Sequence, residues 1–128
     1  MSFILSCDYD DTIVFSEFPD HGEFKMDIIN KIKEFKKHGS DLILLTCREG
    51  KNLESAISNC KKIGLEFDAV NENTPTIKKW LASKKEPLSR KPHADFYLDD
   101  KAMNLDIFLK IDVEATCKSF ANRWITLF

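Results

Sequence analysis

The sequence predicts an α/β fold, a doubly wound parallel sheet of Rossmann-like form, and three observations lead there. Short, nearly all-apolar runs recur along the chain, each stops at polar or acidic residues, and stretches with helical spacing separate them. Buried parallel strands read as continuous apolar runs because both of their faces are covered, and their carboxyl ends deliver polar groups to one edge of the sheet.

The first run, Phe3-Ile4-Leu5-Ser6-Cys7, ends at Asp8. Residues 24–38 place Phe24, Ile28, Ile32 and Phe35 on one helical face with lysines opposite, and Gly39 supplies the stop. Leu42 to Leu45 repeats the strand pattern and ends at Thr46, and Leu53, Ala56, Ile57, Cys60 and Ile63 mark a second helix closed by Gly64. Phe67 to Val70 is a short third strand. Thr74-Pro75 reads as an N-cap with proline in the first helical position, leading into Ile77, Trp80 and Leu81. A loop from Ser83 to His93 precedes a fourth strand, Asp95 to Leu98, which ends in Asp99-Asp100. Beyond it, Leu105, Ile107, Leu109 and Ile111 alternate as in a strand, whereas Val113, Cys117, Phe120 and Trp124 have helical spacing. Both tryptophans, Trp80 and Trp124, are expected in the core.

Length and composition set the bounds. A chain of 128 residues has room for one domain, so residues 1–128 are expected to share one core. It is 43% hydrophobic and 31% charged, an ordinary globular mixture. A net charge of −2 creates no global field toward nucleic acid or an anionic membrane. The cysteines at 7, 47, 60 and 117 form no CxxC pair and lie in or beside apolar segments, as reduced thiols of a cytoplasmic protein would. Cys7 and Cys47 are expected to be packing residues. The start of the sequence lacks a signal-peptide pattern, and no apolar run is long enough to span a membrane.

Asp8, Asp10, Asp99 and Asp100 at one sheet edge would repel one another unless a cation neutralised them. Oxygen ligands without a nearby His or Cys cluster suit Mg2+ rather than zinc. The run Asp8-Tyr9-Asp10-Asp11-Thr12 after an apolar strand resembles the DxDxT signature of the haloacid dehalogenase-like (HAD) phosphohydrolases. The other family motifs follow in order: Thr46 after the second strand, Lys91 in Ser89-Arg90-Lys91, and Asp99-Asp100. The resemblance covers roughly residues 1 to 104, and Thr46-Cys47-Arg48-Glu49-Gly50 is similar to a group of short, capless members. Asp11 stands where many relatives have glycine.

The resemblance implies a HAD core without a cap domain and magnesium-dependent phosphomonoester hydrolysis through an aspartyl-phosphate. Asp8 would be the nucleophile, Asp10 the acid and base, Thr46 a phosphate contact and Lys91 the charge-balancing cation, with Lys101, Lys84 and Lys85 as competitors for that last role. Asp8, Asp99 and the Asp10 carbonyl would bind the metal, with Asp100 either a further ligand or a partner that supports the ligands. Arg48 has two readings: a contact to a second anionic group of the substrate, or a salt bridge to an acid on the helix that follows. Asn73 and Asn104 are expected in turns, and His21 in an exposed loop. The expected ligands are a sugar phosphate, a nucleotide or a nucleic-acid end, guided by the basic stretch from Lys78 to Lys91 or by the loop from Phe15 to Glu23, with no membrane partner; an oligomer is compatible with the sequence. The competing classes are a phospho-receiver, whose aspartate belongs after the third strand, and a catalytically idle module that binds phosphorylated ligands.

Overall fold

A computed structural model describes residues 2–102 and 105–127, with side chains to Phe120. Asn104 and the side chain of Trp124 lie outside the described residues. Four parallel strands, β1 (Ile4–Cys7), β4 (Asp41–Leu44), β5 (Ala69–Val70) and β6 (Phe96–Leu98), form a sheet in the order β5-β4-β1-β6. Leu5 stands beside Leu42 on one side and Phe96 on the other; Cys7 stands between Leu44 and Leu98. The first strand of the chain is thus an interior one, as is β4, which explains why it is apolar on both faces.

Alternation along the strands divides the core. Leu5, Cys7, Leu42 and Leu44 pack with Ile28, Ile29, Ile32 and Phe35 of α1 (Met26–Lys37), with Ala56 and Cys60 of α2 (Gly50–Lys62), and with Phe108, Val113 and Phe120. On the other face, Ile4, Ile43 and Ala69 meet Ile77 and Leu81 of α3 (Pro75–Ser83). Helices therefore flank both faces, and the fold is α/β and Rossmann-like. Gly39 and Gly64 follow α1 and α2 with φ of 91° and 78°, the left-handed stops anticipated from sequence. The Thr74 hydroxyl accepts the Ile77 N–H at 3.4 Å, and Pro75 opens α3. Among the described residues no helix is long and apolar enough to cross a membrane.

Three sequence readings are corrected. Residues expected to form a loop before α1 instead form a hairpin, β2 (Val14–Glu17) and β3 (Asp20–Phe24), with Phe24 in a strand rather than on the helix. Its residues from Phe15 to Phe24 are exposed or half-buried, so neither strand has a dry face to impose a visible alternation. Gly22 crosses so close to Phe15 that a Cβ there would lie 1.9 Å from the Phe15 carbonyl oxygen. Residues 105–109 form a helix, α4 (Leu105–Leu109), not a strand: Leu105, Phe108 and Leu109 turn inward, while Ile107, a member of the apparent alternation, is 60% exposed. The helical spacing after Val113 does form α5 (Val113–Leu127). Trp80, expected in the core, is 41% exposed on α3.

Candidate active site

The crossovers through α1 and α2 lead from β1 toward β5, whereas α3 carries the chain back across the other face to β6 on the opposite side of β1. The direction of winding reverses between β1 and β6, and ligand sites in open α/β sheets lie beyond the strand ends at such a reversal. Asp8 continues β1 there, its N–H donating to the Leu98 carbonyl at 2.9 Å. Asp99 and Asp100 continue β6. One carboxylate oxygen from each of Asp8, Asp99 and Asp100 lies within 4.8 Å of the others, all three residues being half-buried.

Thr12, fully buried, links the two loops. Its hydroxyl accepts the Asp100 N–H at 3.0 Å and stands 3.4 Å from both Asp8 Oδ2 and Asp100 Oδ1, to one of which its single proton is donated. The chain turns at Asp11 with φ of 62°, a left-handed conformation that aspartate tolerates and glycine prefers. Burial, opposed by the Tyr9 backbone N–H and reinforced by Asp99, Asp100 and Asp10, pushes the Asp8 carboxyl up to about 6. A cluster of carboxylate oxygens under such mutual repulsion fits a hard divalent cation.

The side chain of Asp10 points elsewhere. Arg48 grips it with both edges of its fork, Nε to Oδ2 and Nη2 to Oδ1 at 2.8 Å each, and the Ser16 hydroxyl adds a bond at 3.2 Å. Hydrogen bonding from Arg48 holds the Asp10 carboxyl below the ordinary carboxylate range, ahead of an opposing contribution from burial. Arg48 is itself 2% exposed; Nη1 donates to the Pro19 carbonyl at 2.9 Å, Nη2 to that of Asp20 at 2.8 Å, and the guanidinium lies over the rings of Tyr9 and Phe18. This corrects one reading of Arg48: its acid lies in the first loop, not on α2, and its donors face protein acceptors.

Thr46 lies just past β4. Its N–H donates to Asn71 Oδ1 at 2.8 Å and its hydroxyl accepts the Arg48 N–H at 3.1 Å, so its own O–H remains a donor for an anion. Lys91 lies in the loop that leads into β6. Its ammonium lies 4.6 Å from the centre of the Tyr97 ring, on a loop tied by Asn73 to Ser89 and His93, whereas Lys101 Nζ lies 3.4 Å from Asp100 Oδ2 on a side chain that is 84% exposed. Lys84 and Lys85 follow the far end of α3, roughly 13 Å along the helix from its Thr74 cap, which removes them from this edge.

Sequence reasoning missed several supporting groups. Tyr9, buried between the two aspartates, accepts from Asn59 Nδ2 at 2.9 Å and shares a hydrogen bond with His21 Nδ1 at 2.7 Å, while His21 Nε2 shares one with Ser55 Oγ at 2.7 Å. Burial and the nearby Arg48 lower the His21 pKa, favouring the neutral ring, and the expected exposed loop histidine instead ties the hairpin to α2. Asn71, Asn73 and Thr12 carry no signal of their own beyond a turn or a motif position. Cys47 is exposed rather than packed against buried Cys7. Asp68, which precedes β5 rather than following it as a receiver's phosphorylated aspartate would, accepts the Leu42 N–H and the Lys36 ammonium at the opposite edge of the sheet.

No protein-family model matches the chain, and no curated protein matches it. Among solved structures, that of the conserved protein coded by locus from Bacteroides thetaiotaomicron is 32% identical, with 80% of this chain and 79% of that chain aligned and a TM-score of 0.68. A crystal structure of a target protein from Vibrio cholerae aligns over 94% of this chain and 98% of its own at 21% identity, with a TM-score of 0.41.

Proposed function

We propose that the chain, which belongs to the same family as the conserved Bacteroides thetaiotaomicron protein, is a magnesium-dependent phosphomonoester hydrolase with a capless HAD-like core. The observation that carries this reading is the meeting of Asp8 with Asp99 and Asp100 in the crevice where the sheet reverses its winding. The side chains of Asp8, Asp99 and Asp100, with the main-chain carbonyl of Asp10, would hold Mg2+. Bound there, it would offset the carboxylate charge and polarise a phosphate oxygen.

In this reading an ionised Asp8 oxygen attacks phosphorus, the bond to the leaving oxygen breaks, and Asp10 supplies the proton that oxygen takes. Water, deprotonated by Asp10, then cleaves the aspartyl-phosphate. Arg48 favours the ionised form of Asp10, which suits the second step; for the first, the carboxyl must leave the guanidinium. Thr46 donates its O–H to a phosphate oxygen. A short hairpin rather than an inserted domain between Asp8 and α1 supports the capless reading.

Phosphate release from a panel of sugar phosphates, nucleotides and p-nitrophenyl phosphate, with magnesium and then with a chelator, tests the proposal. Turnover that stops on chelation is expected; binding of magnesium and phosphate with no release from any substrate would replace it with the idle, phospho-ligand-binding reading. The lysine is decided separately. Lys91→Ala is expected to lower kcat/KM by about 10²-fold, since a cation near the transferring group stabilises developing charge. Lys101→Ala is expected to change it less than about threefold, its exposed charge being screened by solvent. The reverse ranking would transfer the role to Lys101.

A further inference from the structure

Charge is unevenly spread over the chain. Between residues 78 and 91, Lys78, Lys79, Lys84, Lys85, Arg90 and Lys91 stand against Glu86 alone, although the whole chain has a net charge of −2. The fold gathers this stretch onto one face. α3 ends at Ser83, and the loop after it returns alongside the helix, because Asn73, just before the Thr74 cap, donates to the Ser89 hydroxyl at 3.2 Å and accepts the His93 N–H at 2.6 Å. Ile77 and Leu81 turn α3 toward the sheet, which leaves Lys79, Trp80 and every residue from Ala82 to Lys91 exposed. Lys78 pairs with Glu72 at 2.8 Å and Lys91 lies over the Tyr97 ring, but Lys79, Lys84, Lys85 and Arg90 meet no carboxylate among the described residues. Trp80 lies among them, 41% exposed. Its main-chain carbonyl accepts the Lys84 N–H at 3.2 Å, so Lys84 follows one turn later on the same side of the helix.

We propose that α3 and the loop that follows it form a binding face for single-stranded nucleic acid, with Lys79, Lys84, Lys85 and Arg90 meeting phosphates and Trp80 stacking on an unpaired base. Cations along a strip about 13 Å long match the closely spaced phosphates of a strand. Stacking on the indole adds affinity that a duplex, with its bases covered, does not receive. A lipid surface fits less well. The apolar side of α3 is already buried against the sheet, and an anionic plane would bring the acidic remainder of the chain toward like charge, whereas a strand follows the strip alone. The inference stands apart from the phosphatase reading, since it needs neither metal nor hydrolysis.

Fluorescence anisotropy of a short labelled DNA strand with no terminal phosphate, measured in chelator, tests the face without engaging the acidic cluster. Binding is expected to weaken as salt rises, and Lys84→Glu with Lys85→Glu to weaken it at least about tenfold and to flatten the salt dependence. Lys37→Glu with Lys110→Glu, which alters the net charge equally from helices on the other face of the sheet, is expected to change it less than about threefold. Trp80→Ala is expected to weaken binding about tenfold with the salt slope kept, and Trp80→Phe to keep most of the affinity while losing the quenching of indole emission that stacking produces in the wild type. No binding by the wild type, equal weakening by the two charge-reversed pairs, or a duplex bound as tightly as the strand would overturn the inference, as would phosphatidylserine vesicles that displace the strand. None of these outcomes bears on the phosphatase reading, which stands or falls with turnover.

Discussion

Asp8→Asn is expected to abolish phosphate release, by at least about 10³-fold, while making the metal-free protein more stable at neutral pH. The first effect follows because an amide cannot act as an anionic nucleophile. The second follows from the folded-state pKa of about 6, raised from 3.8 by burial and then by the neighbouring carboxylates. Above pH 6 the wild-type Asp8 is ionised in a folded environment that disfavours the charge, so it lowers stability there. That penalty is relieved as the pH falls from about 6 toward 4, and the neutral amide never incurs it. Solvent at this half-buried position screens the effect to about 1 kcal/mol. Thermal unfolding in chelator between pH 4 and 8 reads it directly: the wild type should approach the variant on the acid side. Magnesium should stabilise the wild type more than the variant at pH 7.5. Parallel pH curves would mean that Asp8 carries no such strain, and full activity of the variant would sink the mechanism.

Arg48→Met is expected to destabilise the protein by about 2–4 kcal/mol, a drop in Tm of about 10 °C, because it leaves the partly buried Asp10 carboxylate and two hairpin carbonyls without their donor. Asp10 has a depressed folded pKa, so its contribution is present above its unfolded value and is lost as the pH falls from about 4 through the lower folded value. The difference between wild type and Arg48→Met should therefore shrink in acid. Arg48→Lys keeps the charge but offers no planar fork and should fall between them. An unchanged melting curve would show that the guanidinium does not fasten the hairpin.

Much of the architecture was legible because burial leaves a one-dimensional trace. β1, β4 and β6 read as apolar runs, their acidic ends identified Asp8, Asp99 and Asp100 as neighbours, and Thr74-Pro75 announced α3. The hairpin left no trace because its strands lie at the surface and their pairing depends on Gly22 passing Phe15. The alternation from Leu105 to Ile111 misled because Leu105, Phe108 and Leu109 satisfy a short helix equally well. The environment of Arg48 was unreadable for another reason: its carboxylate lies 38 residues away and its other acceptors are main-chain carbonyls, which any residue provides. Lys91 could be placed in a motif, but its resting contact with Tyr97 depends on how the loop from Ser83 to His93 lies against β6.

The interior position of β1 has a consequence for synthesis on the ribosome. This strand is made first, gains its partner β4 once residue 44 has emerged, and waits for β6 until residue 98. Until then one side of Ile4–Cys7 is an apolar edge with open backbone donors and acceptors, the kind of edge that recruits foreign strands. Thr12 and Asp100, 88 residues apart in sequence, likewise meet only near the end of this process. A nascent chain stalled before residue 95 should therefore be sticky and unable to gather its acidic cluster, and completing β6 closes the edge and assembles the cluster in the same event.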